Sequence, residues 1–74
     1  MQMRWNYVYY DTGERKVAEF FKTDGKKIVP MFSVIGEDAV KVNDAIEKDG
    51  KHVNEVVEGL LDELFPWRKH GNGG

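Results

Sequence analysis

From Met3 to Tyr10 the chain alternates at period two, with Met3, Trp5, Tyr7 and Tyr9 on one side and Arg4, Asn6, Val8 and Tyr10 on the other. Such alternation belongs to a half-buried β-strand, because successive side chains of a strand point to opposite faces. Asp11-Thr12-Gly13 interrupts it and suits a three-residue hairpin loop, with Gly13 in the left-handed position that a side chain resists. Pairing Tyr10 with Glu14 then sets Arg15, Val17, Glu19 and Phe21 opposite Tyr9, Tyr7, Trp5 and Met3. This register predicts a core face of Met3, Trp5, Tyr7, Tyr9, Val17 and Phe21. Asp24-Gly25, between two apolar stretches, is a second hairpin cue. With Lys22 opposite Lys27, Ile28, Phe32 and Val34 join the core face, and Val29 and Met31 lie with Ala18 and Phe20 on the other. Pro30 has no N–H to give, so it fits only an outward-facing site of an edge strand or a bulge, and the register around it stays open.

After Ile35 the period lengthens. Gly36 ends the third strand, and Ala39, Val42, Ala45 and Ile46 mark a helical stripe led by Glu37 and Asp38, anions at the end where the helix dipole favours them. Gly50 is the expected left-handed stop. Val53, Val56, Val57, Leu60, Leu61 and Leu64 then follow the spacing of an amphipathic helix that Pro66 ends. We expect an α+β domain over residues 1–67, a three-stranded antiparallel β-meander followed by two α-helices (βββαα), with the second helix on the aromatic face. Residues 68–74 are expected to form a flexible tail. Gly59, inside the second helix, predicts close approach to a bulky sheet residue such as Trp5 or Tyr7. Trp67 is expected to fold back over the core.

Charge changes the picture only when divided along the chain. The 11 Lys and Arg against 13 Asp and Glu give a formal charge of −2. The sheet half is mildly basic, the helical half strongly acidic and the last residues basic, so the two halves need not face similar partners. With no cysteine there is no disulfide framework and no thiolate metal site. No secretory leader and no apolar run of ~18–20 residues is visible, so membrane insertion is not expected and a cytoplasmic location is the default.

The residues that carry catalysis are sparse. Ser33, His52 and His70 do not suit a nucleophile, base and orienter that must converge, so we expect no enzyme. Neighbouring carboxylates such as Glu37-Asp38 and Asp62-Glu63 diverge on a helix, and a calcium loop counted back from Gly50 would begin at Ala45 instead of an acid. Neither a metal nor a cofactor is expected. The face opposite the core attracts attention instead: Arg4, Tyr10, Lys16, Phe20, Lys22 and Met31 would combine cations with apolar and aromatic side chains on one surface. That mixture suits a protein-binding module, a regulator or inhibitor whose partner is unidentified and could carry a basic surface for the acidic helices. Its alternative is a nucleic-acid binder, with rings stacking on bases and cations tracking phosphates. A homodimer through the apolar sheet face is a further possibility.

Residues 5–23, "WNYVYYDTGERKVAEFFKT", resemble the arm-type DNA-binding region of tyrosine integrases, in which aromatic strands flank a glycine turn followed by basic residues and a Lys-Thr-like segment. The resemblance implies DNA binding. Gly73-Gly74 raises a third reading, a ubiquitin-like modifier, although in β-grasp proteins the first hairpin is followed by a helix, whereas here a third strand is expected.

Overall fold

In a computed structural model, the protein is described from Gln2 to Trp67. The expected tail, with Gly73-Gly74 and His70, lies outside the described residues. Strands β1 (Arg4–Asp11), β2 (Lys16–Thr23) and β3 (Ile28–Ile35) form one antiparallel sheet in the order β1-β2-β3, followed by helices α1 (Glu37–Glu47) and α2 (Val53–Leu64). The βββαα arrangement is therefore the one the periodicities predict.

Strand pairing differs from the expected register, and the first turn is the reason. Thr12 N–H donates to the Arg15 carbonyl at 2.9 Å, which leaves only Gly13 and Glu14 as the connection. Gly13 has φ +91°, the sign required at the first central position of a type II′ turn. The hydroxyl of Thr12 accepts from the N–H groups of Glu14 and Arg15, and the Asp11 carboxylate accepts from Gly13 N–H. Tyr10 thus faces Val17, Tyr9 faces Ala18, Tyr7 faces Phe20 and Trp5 faces Lys22. Relative to a three-residue loop the strands slip by an odd number of residues, and an odd slip exchanges the faces of β2. Ala18 and Phe20 go inside, while Val17 and Phe21 go outside.

On the helix side the sheet carries the rows Tyr9–Ala18–Val34 and Tyr7–Phe20–Phe32. Phe20 stacks between Tyr7 and Phe32, with ring centroids 5.8 and 5.0 Å away, and Trp5 meets Phe32 edge-on at 5.9 Å. Ala18, Phe20, Ala39, Val42 and Val57 form the buried centre, with Ile46, Val53, Val56, Leu60 and Leu61 packed around it. Both helices cover the aromatic face. Small Ala39 lets α1 approach β2, and the valine and leucine stripe of α2 closes the layer. Phe32 and Val34 are core residues as expected. Ile28 is not: a bulge between Phe20 and Phe21 sets Phe20 opposite Phe32 but Phe21 opposite Pro30, and this change of phase turns Ile28 outward, where it is 66% exposed. Pro30 sits on the edge strand at that bulge, a place where its missing N–H costs the sheet nothing.

The helix ends follow elementary rules. Gly36 (φ +72°) turns the chain from β3 into α1, its N–H donating to the Lys16 carbonyl at 2.8 Å. Gly50 (φ +73°) takes the expected left-handed conformation just past the C-cap Lys48 of α1, and Lys51 N–H reaches back to the Ala45 carbonyl at 3.0 Å. His52 caps α2 by accepting Asn54 N–H on Nδ1 at 3.1 Å. Two expectations fail here. A Cβ built on Gly59 meets nothing within 4 Å, so no bulky neighbour requires glycine there. Trp67 is 64% exposed and packs edge-on to Phe65 at 5.2 Å instead of covering the core.

Candidate interaction surface

The other side of the sheet, which no helix covers among the described residues, is built from four cross-strand rows. They are Tyr10–Val17–Ile35, Val8–Glu19–Ser33, Asn6–Phe21–Pro30 and Arg4–Thr23–Ile28, with Met31 at the bulge. Val17 is only 7% exposed although it lies outside the core cluster, since its row partners Tyr10 and Ile35 flank it on both sides. Val8, Tyr10, Ile28, Met31 and Ile35 are all substantially exposed here, whereas Val29, also exposed, pairs with Lys22 in the Trp5 row of the helix side and not on the face expected for it. A shallow cleft of about 320 Å³ runs between Glu19, Phe21, Ile28, Pro30, Met31 and Ser33. Its apolar walls come from both sides of the bulge, which spreads β3 at Met31.

Polar anchors are few on this face. The Tyr10 hydroxyl donates to Glu19 Oε1 at 2.9 Å. That hydrogen bond to the Glu19 carboxylate, aided by slight burial and the carboxylate's charge, raises the Tyr10 pKa above the ordinary tyrosine value. Arg4 stands at one corner, exposed. At the β2–β3 turn Asp24 accepts from the N–H groups of Lys26 and Lys27, both at 2.9 Å, and these backbone donors hold its carboxyl below the usual range.

Of the six residues expected to share one binding face, the fold brings together three. Arg4, Tyr10 and Met31 lie on the open side. Phe20 does not: it is 1% exposed at the centre of the core, because the two-residue turn places it opposite Tyr7. Lys22 faces Trp5 on the helix side, its Nζ 5.0 Å from the ring centroid in a cation–π contact. Lys16 shares the strand parity of Ala18 and Phe20 and so also belongs to the helix side, exposed at the strand end opposite Asp11. Sequence reasoning missed Val17, Phe21, Ile28 and Ile35 on the open face. A Gly-Glu reading of the first turn would have found Val17 and Phe21, since it reverses the parity of β2, whereas Ile28 is turned outward by the bulge in β3.

A second polar cluster joins the sheet to α1. The Tyr7 hydroxyl lies 2.9 Å from Asn43 Oδ1 and 3.0 Å from Glu47 Oε2. Burial, then the hydrogen bond to Glu47 and the charge of that carboxylate, push the Tyr7 pKa up to about 12. A hydroxyl has one proton to give, so it donates to one of these acceptors at a time. A larger, open cleft of about 910 Å³ lies between the starts of β1 and α2, lined by Arg4, Trp5, Lys22, Asp24, His52 and Asn54 among others. Among the described residues no three His, Asp or Glu side chains gather into a metal-binding group, and no helix is long and apolar enough to cross a membrane.

Compared with known protein families, with curated proteins and with solved structures, the chain matches none. The likeness of residues 5–23 to the integrase arm region therefore stands on that run alone. Within it, Lys16 and Lys22 stand at opposite ends of β2, and of the two only Lys22 shares a cleft with Arg4.

Proposed function

We propose that the protein is a protein-binding module, a small regulator or inhibitor that acts by occupying a partner protein's surface with the open face of its sheet. The observation that carries this reading is the apolar character of that face: Val8, Tyr10, Ile28, Met31 and Ile35 stand exposed together on the one layer that no helix covers. Contiguous exposed apolar surface on a small domain marks a docking site more often than chance, and interface centres favour aromatic residues and methionine. The sparse charge of this face suits a partner whose own surface is apolar, with Arg4 and Glu19 as rim contacts that set orientation.

Replacing both Ile28 and Met31 by Lys tests the proposal, because both side chains are exposed and the fold does not need them. Affinity capture from the cells that make the protein should recover a partner with the parent chain and lose it with the double variant, while circular dichroism stays unchanged. Equal recovery by both would move the interface to the acidic helices.

A further inference from the structure

Among the described residues nothing pairs with the outer side of either edge strand of the sheet, and the two edges are not alike. On β3 the edge is broken by Pro30 and by the bulge at Met31, two of the devices that keep edge strands from pairing with other chains. Over its eight residues, Arg4–Asp11, β1 has neither a proline nor a bulge, and its charged side chains stand only at its ends. The hydrogen-bond alternation of the sheet is fixed by two bonds. Thr12 pairs with Arg15 toward β2, and Gly36 with Lys16 between β2 and β3. It follows that the even residues of β1 bond to β2, whereas the N–H and C=O groups of Trp5, Tyr7, Tyr9 and Asp11 point to the open edge. One of them has found a local substitute: Tyr7 N–H donates to the exposed Asn6 side chain at 2.8 Å.

We propose that the free edge of β1 pairs with the same edge of a second copy of this chain, antiparallel about a two-fold axis at Tyr7, giving a continuous six-stranded sheet. A two-fold axis normal to the sheet keeps the helices of both copies on one side, so only residues of equal parity can oppose one another. Centring on Tyr7 sets Tyr7 opposite its counterpart and Trp5 opposite Tyr9 of the second copy, as hydrogen-bonded pairs with half-buried rings on the helix side. On the open side it sets Asn6 opposite Val8, and Arg4 opposite the Tyr10 ring whose hydroxyl is held by Glu19. Each copy thus supplies a cation where the other supplies a ring and a carboxylate, a self-complementary arrangement at both ends of the strand. The formal charge of −2 puts little repulsion in the way. Because the β3 edges are blocked, pairing closes at two copies instead of growing into a fibre.

This inference rests on the edge and not on the open face, so the two readings fail separately. Sedimentation equilibrium of the full chain should show a dimer by about millimolar concentration. The chain has no cysteine, so register can be read by cross-linking. Directly opposed non-hydrogen-bonded residues lie about 4.5 Å apart at Cα, within disulfide reach. Diagonal neighbours lie about 7–8 Å apart, beyond it. Mixing an Asn6→Cys chain with a Val8→Cys chain under mild oxidation should therefore cross-link on the order of tenfold faster than either alone, because pairing holds the two thiols at high effective concentration. The Ile28→Lys, Met31→Lys double variant should dimerise as the parent does. A monomer at all concentrations overturns the proposal. So does a dimer in which Val8→Cys cross-links to itself, or in which Met31→Cys does so and the mixed pair does not.

Discussion

Phe20 and Met31 look interchangeable as apolar strand residues, yet the fold gives them opposite roles. Phe20 lies between two rings at the centre of the core, and Met31 projects from a bulge with 49% of its surface exposed. Phe20→Ala should cost about 3–5 kcal/mol, most of what a domain this small possesses, whereas Met31→Ala should stay within about 0.5 kcal/mol. Urea unfolding of the two variants measures both. Tyr7 offers a pH readout. Its pKa is raised to about 12, so the folded state holds the phenolic proton more tightly than the unfolded chain does. The resulting stabilisation is fully present below the ordinary tyrosine value of about 10 and is lost as pH climbs from there toward about 12. A spectrophotometric titration of tyrosinate should show a late step that Tyr7→Phe removes. If that step survives in the variant, the link from Tyr7 to Glu47 is not formed in solution.

At the scale of elements, both helices, both helix stops and all three strands were legible in the chain, because each rests on a local cue: period two, period 3.6, Gly36, Gly50 and Pro66. What the chain did not disclose was which side of β2 faces inward. Val17-Ala18-Glu19-Phe20-Phe21 holds apolar residues at both parities, so its pattern fits either face, and only the length of the connection at Gly13 decides. Half of the expected binding set was misplaced by that one turn. Phe20, Lys16 and Lys22 moved to the helix side together, while Arg4, Tyr10 and Met31 stayed outside. Capping was partly hidden as well, since His52 is an uncommon cap whose role depends on Nδ1 meeting Asn54 N–H. His52→Ala should destabilise α2 by about 1 kcal/mol. Gly59 is helical, exposed and without a close neighbour. Gly59→Ala should therefore stabilise the protein by about 0.5–1 kcal/mol, a rise in the melting temperature that differential scanning calorimetry can follow.

The described residues form a two-layer structure, with helices on one side of a sheet and none of them on the other. Such an arrangement leaves apolar rows exposed that a third layer would bury, and the proposed partner protein would take the place of that layer. Protein-binding function and edge pairing would then use different parts of the same sheet, its face and its rim, so a dimer would present two joined docking faces in one plane. The alternation of bonded and open amides along β1 gives the molecule a signature in exchange kinetics. In a lone copy the amide protons of Asn6, Val8 and Tyr10 should be replaced by deuterium slowly and those of Trp5, Tyr9 and Asp11 quickly, a sawtooth of period two along a single strand. Joining two copies would flatten the sawtooth, because the fast positions are the ones that acquire acceptors, and the protein concentration at which it flattens would report the dissociation constant.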